Sequence, residues 1–408
     1  MFDKKTTERL HVLIPTLPVI IGEASLRHDI DDLVSQALPV KCFAIVDDVN
    51  TNLVFGNKIF NALKERFNCI HITLVDGIEA DDETINYIRK KTSICDALIA
   101  VGSGTINDLC KYAAHLDNKP YLVFPTAASM NGYLSANASI AINAHKTAIT
   151  AQLPTAIFCD FSVIAKAPVR LSKSGLGDSL ARPTAQADWL LSHLLLGSFY
   201  DKKPFELLAD IEPELFDNAA GIAKNDPKTI KTLMELLLLS GVGMTIAGGS
   251  YPASQGEHMI AHSYNMLKKP TNKFKSLHGE EIAITSLYTA KRQENLLNIT
   301  AKLYSKIFDK DYLSELFGSS LTAEFQTEFT KKQVLINQSD ININQTKWDD
   351  ISDKIDKIMM PSSQMENIIK KAELLATLED LGWNKKDFST ACDVARFTRD
   401  RFTFLDVE

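Results

Sequence analysis

The chain has 408 residues, 45% of them hydrophobic and 23% charged, with a formal net charge of −7. That is ordinary globular composition, at a length that holds two or three domains. The acidic balance excludes the basic surface that nucleic acid or an anionic membrane requires, so neither is expected as a partner.

The start, MFDKKTTERLHVLIP, is charged and then briefly apolar, without the apolar stretch of a secretory signal. No run approaches the roughly 18 uninterrupted apolar residues of a membrane span. Six cysteines, at 42, 69, 95, 110, 159 and 392, form no CxxC pair and read as reduced thiols of a cytoplasmic protein.

Residues 1–166 alternate strand and helix signals. LPVIIGE reads as a strand, HDIDDLVSQAL as a helix, KCFAIVDD as a strand, and NKIFNALKERF as a helix. HITLVDG, DALIAVGSG, YLVFPT and TAIFCD are further strands, with ADDETINYIRKKTS and TINDLCKYAAHLD as helices between them. Apolar strands alternating with helices predict a parallel sheet covered on both faces. From about 166 strand signals stop and helical periodicity takes over, so residues 167–408 are expected to form an all-helical second domain. The stretch 320–362, rich in Asn, Gln, Asp and Lys, reads as a surface excursion of short helices and loops.

DALIAVGSGTINDLC sets Gly102 and Gly104 between a strand and a helix. A helix N-terminus behind two glycines suits a pyrophosphate, and the same spacing also makes a plain tight turn. The strand KCFAIVDD ends in Asp47 and Asp48, where a carboxylate suits a ribose hydroxyl and repels a 2′-phosphate, favouring NAD over NADP. SQGEHMIAHSYNMLKKPTNKFKSLHGEE carries His258 and His262 one helical turn apart, and then His278. Asp178 in KSGLGDSLARP completes an Asp/His/His set with room for a fourth ligand. Spacing alone leaves two readings open: metal ligands, or histidines satisfied on helix faces. His193, in LLSHLLLG, reads as a core histidine.

VGSGTINDLCKYAA, PTAASMNGYLSANASI, KAPVRLSKSGLGDSLARPTAQADW, GGSYPASQGEHMIAHSYNM and LHGEEIAI occur in that order. The set resembles the sn-glycerol-1-phosphate dehydrogenase family, of the iron-containing alcohol dehydrogenase and dehydroquinate synthase-like superfamily, from about residue 17 to RDRFTFLD. The resemblance implies a Rossmann-like NAD(P)-binding α/β domain over 1–166 and an all-α metal-binding domain over 167–408. It implies a divalent metal on Asp178, His258 and His278, zinc first, with nickel or iron in relatives. Gly102, Ser103, Gly104 and Asp108 would hold the pyrophosphate region, and Thr126 and Ser129 would lie along the nicotinamide. His262 would serve proton transfer, Lys146 would hold the substrate phosphate, and Lys268, Lys269, Lys273 and Lys275 are further cationic candidates. The implied substrate is a small phosphorylated ketone or polyol such as dihydroxyacetone phosphate, and a homo-oligomer is allowed.

The family's PTAAS is commonly followed by His-Asp-Gly, whereas this chain has Met130-Asn131-Gly132. Asn131 can bond a substrate hydroxyl but cannot take a proton as a base. Arg182, in GDSLARP, is a further departure: an anion contact or a helix-surface charge. Three alternatives follow: a polyol dehydrogenase acting on an unphosphorylated substrate, a dehydroquinate synthase-like cyclase that uses NAD only transiently, and a nucleotide-binding protein without activity. The complete Asp/His/His set speaks against the last.

Overall fold

A computed structural model describes residues 10, 14, 19–21, 29–142, 145–267, 276–299, 301–303, 307–339, 341 and 343–408. The chain forms two compact units. Residues 1–176 and 207–249 make the first, and 177–206 and 250–408 the second. A single division at 166 therefore misplaces 207–249, whose helices pack into the first unit.

The first unit is built on six parallel strands: β1 (Val19–Ile21), β2 (Cys42–Asp48), β3 (Asn68–Leu74), β4 (Ala97–Gly102), β5 (Tyr121–Pro125) and, later in the chain, β8 (Ala156–Phe158). Their order across the sheet is β1-β8-β5-β4-β2-β3. Ile45 on β2 pairs with Ile99 on β4, and Ile99 with Leu122 on β5. These central strands are apolar at nearly every position and buried on both faces, as a helix-covered parallel sheet requires. Phe43, Ile45, Ile99, Phe124 and Phe158 lead the core on one face.

Two features were not legible as strands. Asn137–Ile142 (β6) and His145–Thr150 (β7) form an antiparallel hairpin outside the main sheet. Its small residues Ala138, Ser139, Ala141 and Ala148 give little β signal, and it is secured by polar contacts. Asp108 Oδ2 accepts from Ser139 N at 3.0 Å. Lys111, fully buried, donates to the carbonyls of Gly132, Ser135 and Asn137 at 2.6–3.0 Å. Burial pushes that ammonium down to about 8.

Helix Pro227–Ile246 completes the first unit. Asp226 caps it, accepting from Thr229 N at 2.8 Å, with Pro227 in the first turn. Among the described residues it is the one helix long and apolar enough to cross a membrane, and it is mostly buried, as a core helix is.

The second unit is helical among the described residues, apart from one bridge between Leu303 and Val407. Helices Ala181–Leu196, Gly256–Leu267, His278–Leu297 and Lys385–Val394 share its cores, with the Tyr264 and Trp383 rings stacked at 4.0 Å. The polar stretch differs from expectation. It forms a 20-residue helix, Ser319–Gln338, and a 12-residue helix, Gln345–Asp356. Each buries three residues, Thr322, Phe325 and Lys332 in the first and Trp348, Ile351 and Ile355 in the second, and each has a buried polar anchor. Lys332 bonds Asp406 at 2.8 Å and also the Arg396 carbonyl. Trp348 Nε1 donates to Leu296 O at 3.2 Å. Low average hydrophobicity hid these anchors.

Candidate active site

Three side chains converge in the second unit. Asp178 lies at the end of helix Val169–Ser179, His258 in the first turn of Gly256–Leu267, and His278 opens His278–Leu297. One ligand atom from each lies within 4.8 Å of the others. Asp178 Oδ1 is 3.7 Å from His258 Nε2 and 3.8 Å from His278 Nε2. These separations are too long for hydrogen bonds. They suit atoms sharing one ion, since bonds of about 2.1 Å in a tetrahedron place ligand atoms roughly 3.4 Å apart. Asp178 and His258 are buried, while the His278 side chain is 34% exposed, so the corner is reached from solvent on that side.

Local sequence explains the convergence. A Cβ on Gly177 would sit 2.1 Å from the Gly279 carbonyl oxygen. Glycine alone lets the Asp178 turn lie against the turn that starts with His278. Glu281 secures the same turn, accepting from Ser276 Oγ at 2.5 Å and from Asn265 Nδ2 at 2.8 Å. Glu280 accepts from Leu277 N at 2.7 Å.

Glu257 sets the chemistry of His258. Its Oε1 is 2.9 Å from His258 Nδ1. A carboxylate there holds the proton on Nδ1 and leaves the Nε2 lone pair free to ligate a metal. Glu257 is fully buried. Burial raises its pKa, but the bonds to His258 and to Gln255 N outweigh that and hold it below the usual range. Behind it, Asp188 accepts from Gly256 N, Phe404 N and Gln293 Nε2 at 2.9–3.1 Å, which anchors the start of the His258 helix. Burial, then the Glu257 charge, push Asp188 up to about 7.

His262 is half-buried, its ring centroid 5.9 Å from both His258 and His278. Its Nδ1 lies 3.2 Å from the Arg399 guanidinium. Arginine only donates, so Nδ1 accepts and the ring hydrogen is on Nε2. A carboxylate with two imidazole Nε2 atoms is a donor set for zinc and similar divalent ions, so the residues fit the implied metal.

The first unit carries the glycine turn. Gly102 ends β4 and Ser103 caps helix Gly104–Leu116 in extended conformation, without a side-chain cap bond. The first-turn N–H groups have no intrahelical acceptor and suit an anion. A Cβ on Gly102 would sit 2.7 Å from Ile106 Cβ, so glycine keeps the turn tight. Gly102 pairs with Pro125, and Thr126 N donates to Gly102 O at 3.1 Å. Thr126 and Ser129 thus follow the strand next to the loop. Strand order reverses between β4 and β2, the crevice where α/β sheets bind nucleotides.

Several expectations change. Asp47 is fully buried, with Oδ2 bonded to His71 Nε2 at 2.7 Å and Asn52 Nδ2 at 3.0 Å, so no ribose reaches it. Asp48 caps the following helix through Asn50 N and Thr51 N. The Asp108 carboxylate is engaged by Ser139 N and Asn107 Nδ2, so it holds the hairpin rather than the phosphates. Arg182 bonds Gln186 along its own helix at 2.5 Å. His193 is exposed, with Nδ1 2.7 Å from Ser198 O, and is no core residue. Asn131 is half-buried in the loop that Lys111 pins. Lys146 pairs with Ala141 in the hairpin, its side chain outside the described residues, as are Lys268, Lys269, Lys273 and Lys275.

Comparison with known proteins agrees with this geometry. Residues 21–168 match the family described as iron-containing alcohol dehydrogenase. A glycerol-1-phosphate dehydrogenase [NAD(P)+] of Bacillus velezensis is 36% identical over 290 residues, covering 69% of this chain and 72% of that protein. The chain belongs to the glycerol-1-phosphate dehydrogenase family. Its Pyrococcus horikoshii member is 33% identical over 283 residues, covering 69% of this chain and 80% of that protein. Among solved structures, a 1,3-propanediol oxidoreductase superposes with a TM-score of 0.62 at 14% identity, covering 95% and 94% of the two chains. Glycerol dehydrogenase from Schizosaccharomyces pombe gives 0.57 at 20%, covering 88% and 92%. These two likenesses concern the fold, that of the iron-containing alcohol dehydrogenase and dehydroquinate synthase-like group. As a member of the family, the chain is an NAD(P)-dependent oxidoreductase.

Sequence reading missed Glu257, Arg399 and Gly177. Neighbouring helix positions point apart in general, so Glu257 beside His258 gave no signal. Gly177 had one in retrospect: a glycine inside a helical stretch costs stability and marks a close approach.

Proposed function

We propose that the chain reduces dihydroxyacetone phosphate to sn-glycerol 1-phosphate with NADH or NADPH in the cytoplasm. The observation that carries this reading is the Asp178/His258/His278 corner, complete in a chain whose relatives are glycerol-1-phosphate dehydrogenases. A divalent metal held by those three residues supplies Lewis acidity toward a carbonyl oxygen, and the nicotinamide supplies hydride.

The remaining work belongs to residues of the chain. Glu257 keeps His258 in the tautomer that ligates. The first turn of helix Gly104–Leu116 binds the pyrophosphate through backbone N–H groups. Thr126 and Ser129 line the nicotinamide side. His262, with its hydrogen on Nε2, donates a hydrogen bond to the substrate oxygen. Its Nδ1 is occupied by the Arg399 bond, so water delivers the net proton. Asn131 bonds a substrate hydroxyl as donor or acceptor.

The test is NADH oxidation with dihydroxyacetone phosphate before and after EDTA, with zinc, nickel and iron added back separately. The reading expects turnover that chelation abolishes and one metal restores, with glycerol 1-phosphate as the product on chiral analysis. Metal-loaded protein that oxidises no NADH with this ketone overturns it.

A further inference from the structure

After the short turn Ala395–Phe397, the chain sets two arginines beside the metal corner. Arg399 donates to Ser254 Oγ at 2.9 Å and to His262 Nδ1 at 3.2 Å. Arg401 donates to Ser250 Oγ at 2.9 Å and to the Ser254 carbonyl. Its guanidinium lies over the Tyr251 ring, 4.4 Å from the centroid, and Tyr251 stacks on Trp189 at 5.6 Å. Each guanidinium offers five N–H donors and meets two acceptors here. Among the described residues no carboxylate lies at ion-pairing distance from either.

Arg399 and Arg401 are part-buried, and two cations partly withdrawn from water side by side are costly unless an anion joins them. Burial, then the neighbouring Arg401 charge, push Arg399 down to about 9, which leaves it a cation at neutral pH. The stacked Arg401–Tyr251–Trp189 ladder and the serine contacts hold both planes ready, so little rotamer entropy is lost when a ligand binds. Through His262, Arg399 stands one side chain away from the imidazoles of both His258 and His278. That is the placement required by a short substrate with a carbonyl at one end and a dianion at the other.

We propose that Arg399 and Arg401 form the subsite for the phosphate of the three-carbon ketone, with Arg399 also positioning His262. The proposal rests on the function proposed above and names the group that selects the phosphorylated substrate. Planar guanidinium donors match phosphate oxygens in pairs, which a lone lysine cannot do.

The experiment compares wild type with Arg399→Gln, Arg399→Lys and Arg401→Gln. It measures kcat/KM with NADH for dihydroxyacetone phosphate and for dihydroxyacetone, inhibition by inorganic phosphate, and bound zinc as a check on the fold. In Arg399→Gln the preference for the phosphorylated ketone should fall about 100-fold, mostly through KM. Arg401→Gln should lose about 10-fold, and Arg399→Lys should keep part of the preference. Inhibition by inorganic phosphate should weaken in parallel. An unchanged preference in the zinc-loaded variants overturns the proposal. So does an equal loss with both ketones while phosphate still inhibits, which would mean that Arg399 acts through His262 alone. If wild type turns over neither ketone, the proposed reaction fails separately. Thermal stabilisation by inorganic phosphate, present in wild type and lost in Arg399→Gln, then still supports the anion subsite, and its absence in wild type overturns it.

Discussion

At the β4 turn the groups offered to a ligand are backbone N–H groups, and the main demand on the sequence is that Gly102 lack a side chain. In the proposed metal corner the donors are side chains, each positioned by a neighbour: Glu257 behind His258, Gly177 beneath Asp178, and Glu280 and Glu281 on the turn that starts with His278. A site made of backbone tolerates most substitutions that add no bulk. A site made of side chains depends on residues that never touch the ligand. Both kinds occur in one chain, so their sensitivities can be compared directly.

The largest expected effect is removal of a ligand. His258→Ala should weaken zinc binding by more than about 100-fold, read by metal titration, with NADH affinity retained. Parallel loss of NADH binding would blur the contrast. Gly177→Ala comes next. Its methyl group meets the Gly279 carbonyl, and the displaced turn should cost about 2–3 kcal/mol, or roughly 30- to 160-fold in zinc affinity. An unchanged affinity would mean that the two turns move apart freely. Glu257→Gln keeps an acceptor for His258 Nδ1 but loses the charge, so zinc affinity should fall about 10-fold.

In the glycine turn proposed for the cofactor, Gly102→Ala should weaken NADH binding about 10-fold, because Ile106 and the helix start must shift. Fluorescence titration of NADH measures this, and bound zinc should not change. Ser103→Ala should have the smallest effect, about twofold, because the hydroxyl makes no cap bond. A large loss from Ser103→Ala would show that this turn, too, relies on a side chain.

The sheet was legible because its strands are continuous apolar runs, and each lies where such a run stands. The hairpin Asn137–Thr150 was not, because small residues carry it and Asp108 and Lys111 secure it from a distance in sequence. The Asp/His/His set was legible as residue types, with spacing compatible with a metal, while the motif order pointed to the family. Its supports were not, since an adjacent glutamate and an arginine 137 positions away give no local pattern. Asp47 shows the reverse error. Its strand-end position suggested a ligand contact, yet His71 and Asn52 take the carboxylate, and only the packing around it reveals that.

The interleaving of the two units bears on synthesis. The first unit needs residues 207–249, which emerge from the ribosome only after the first 30 residues of the second have passed. At about 5–20 residues per second, the nascent sheet waits roughly 4–15 s after residue 176 for its last helix. During that interval the loop bearing Asn131 lacks the Thr245 hydroxyl that bonds the Leu134 carbonyl at 3.0 Å. The first unit is therefore completed only once residues 207–249 have been made.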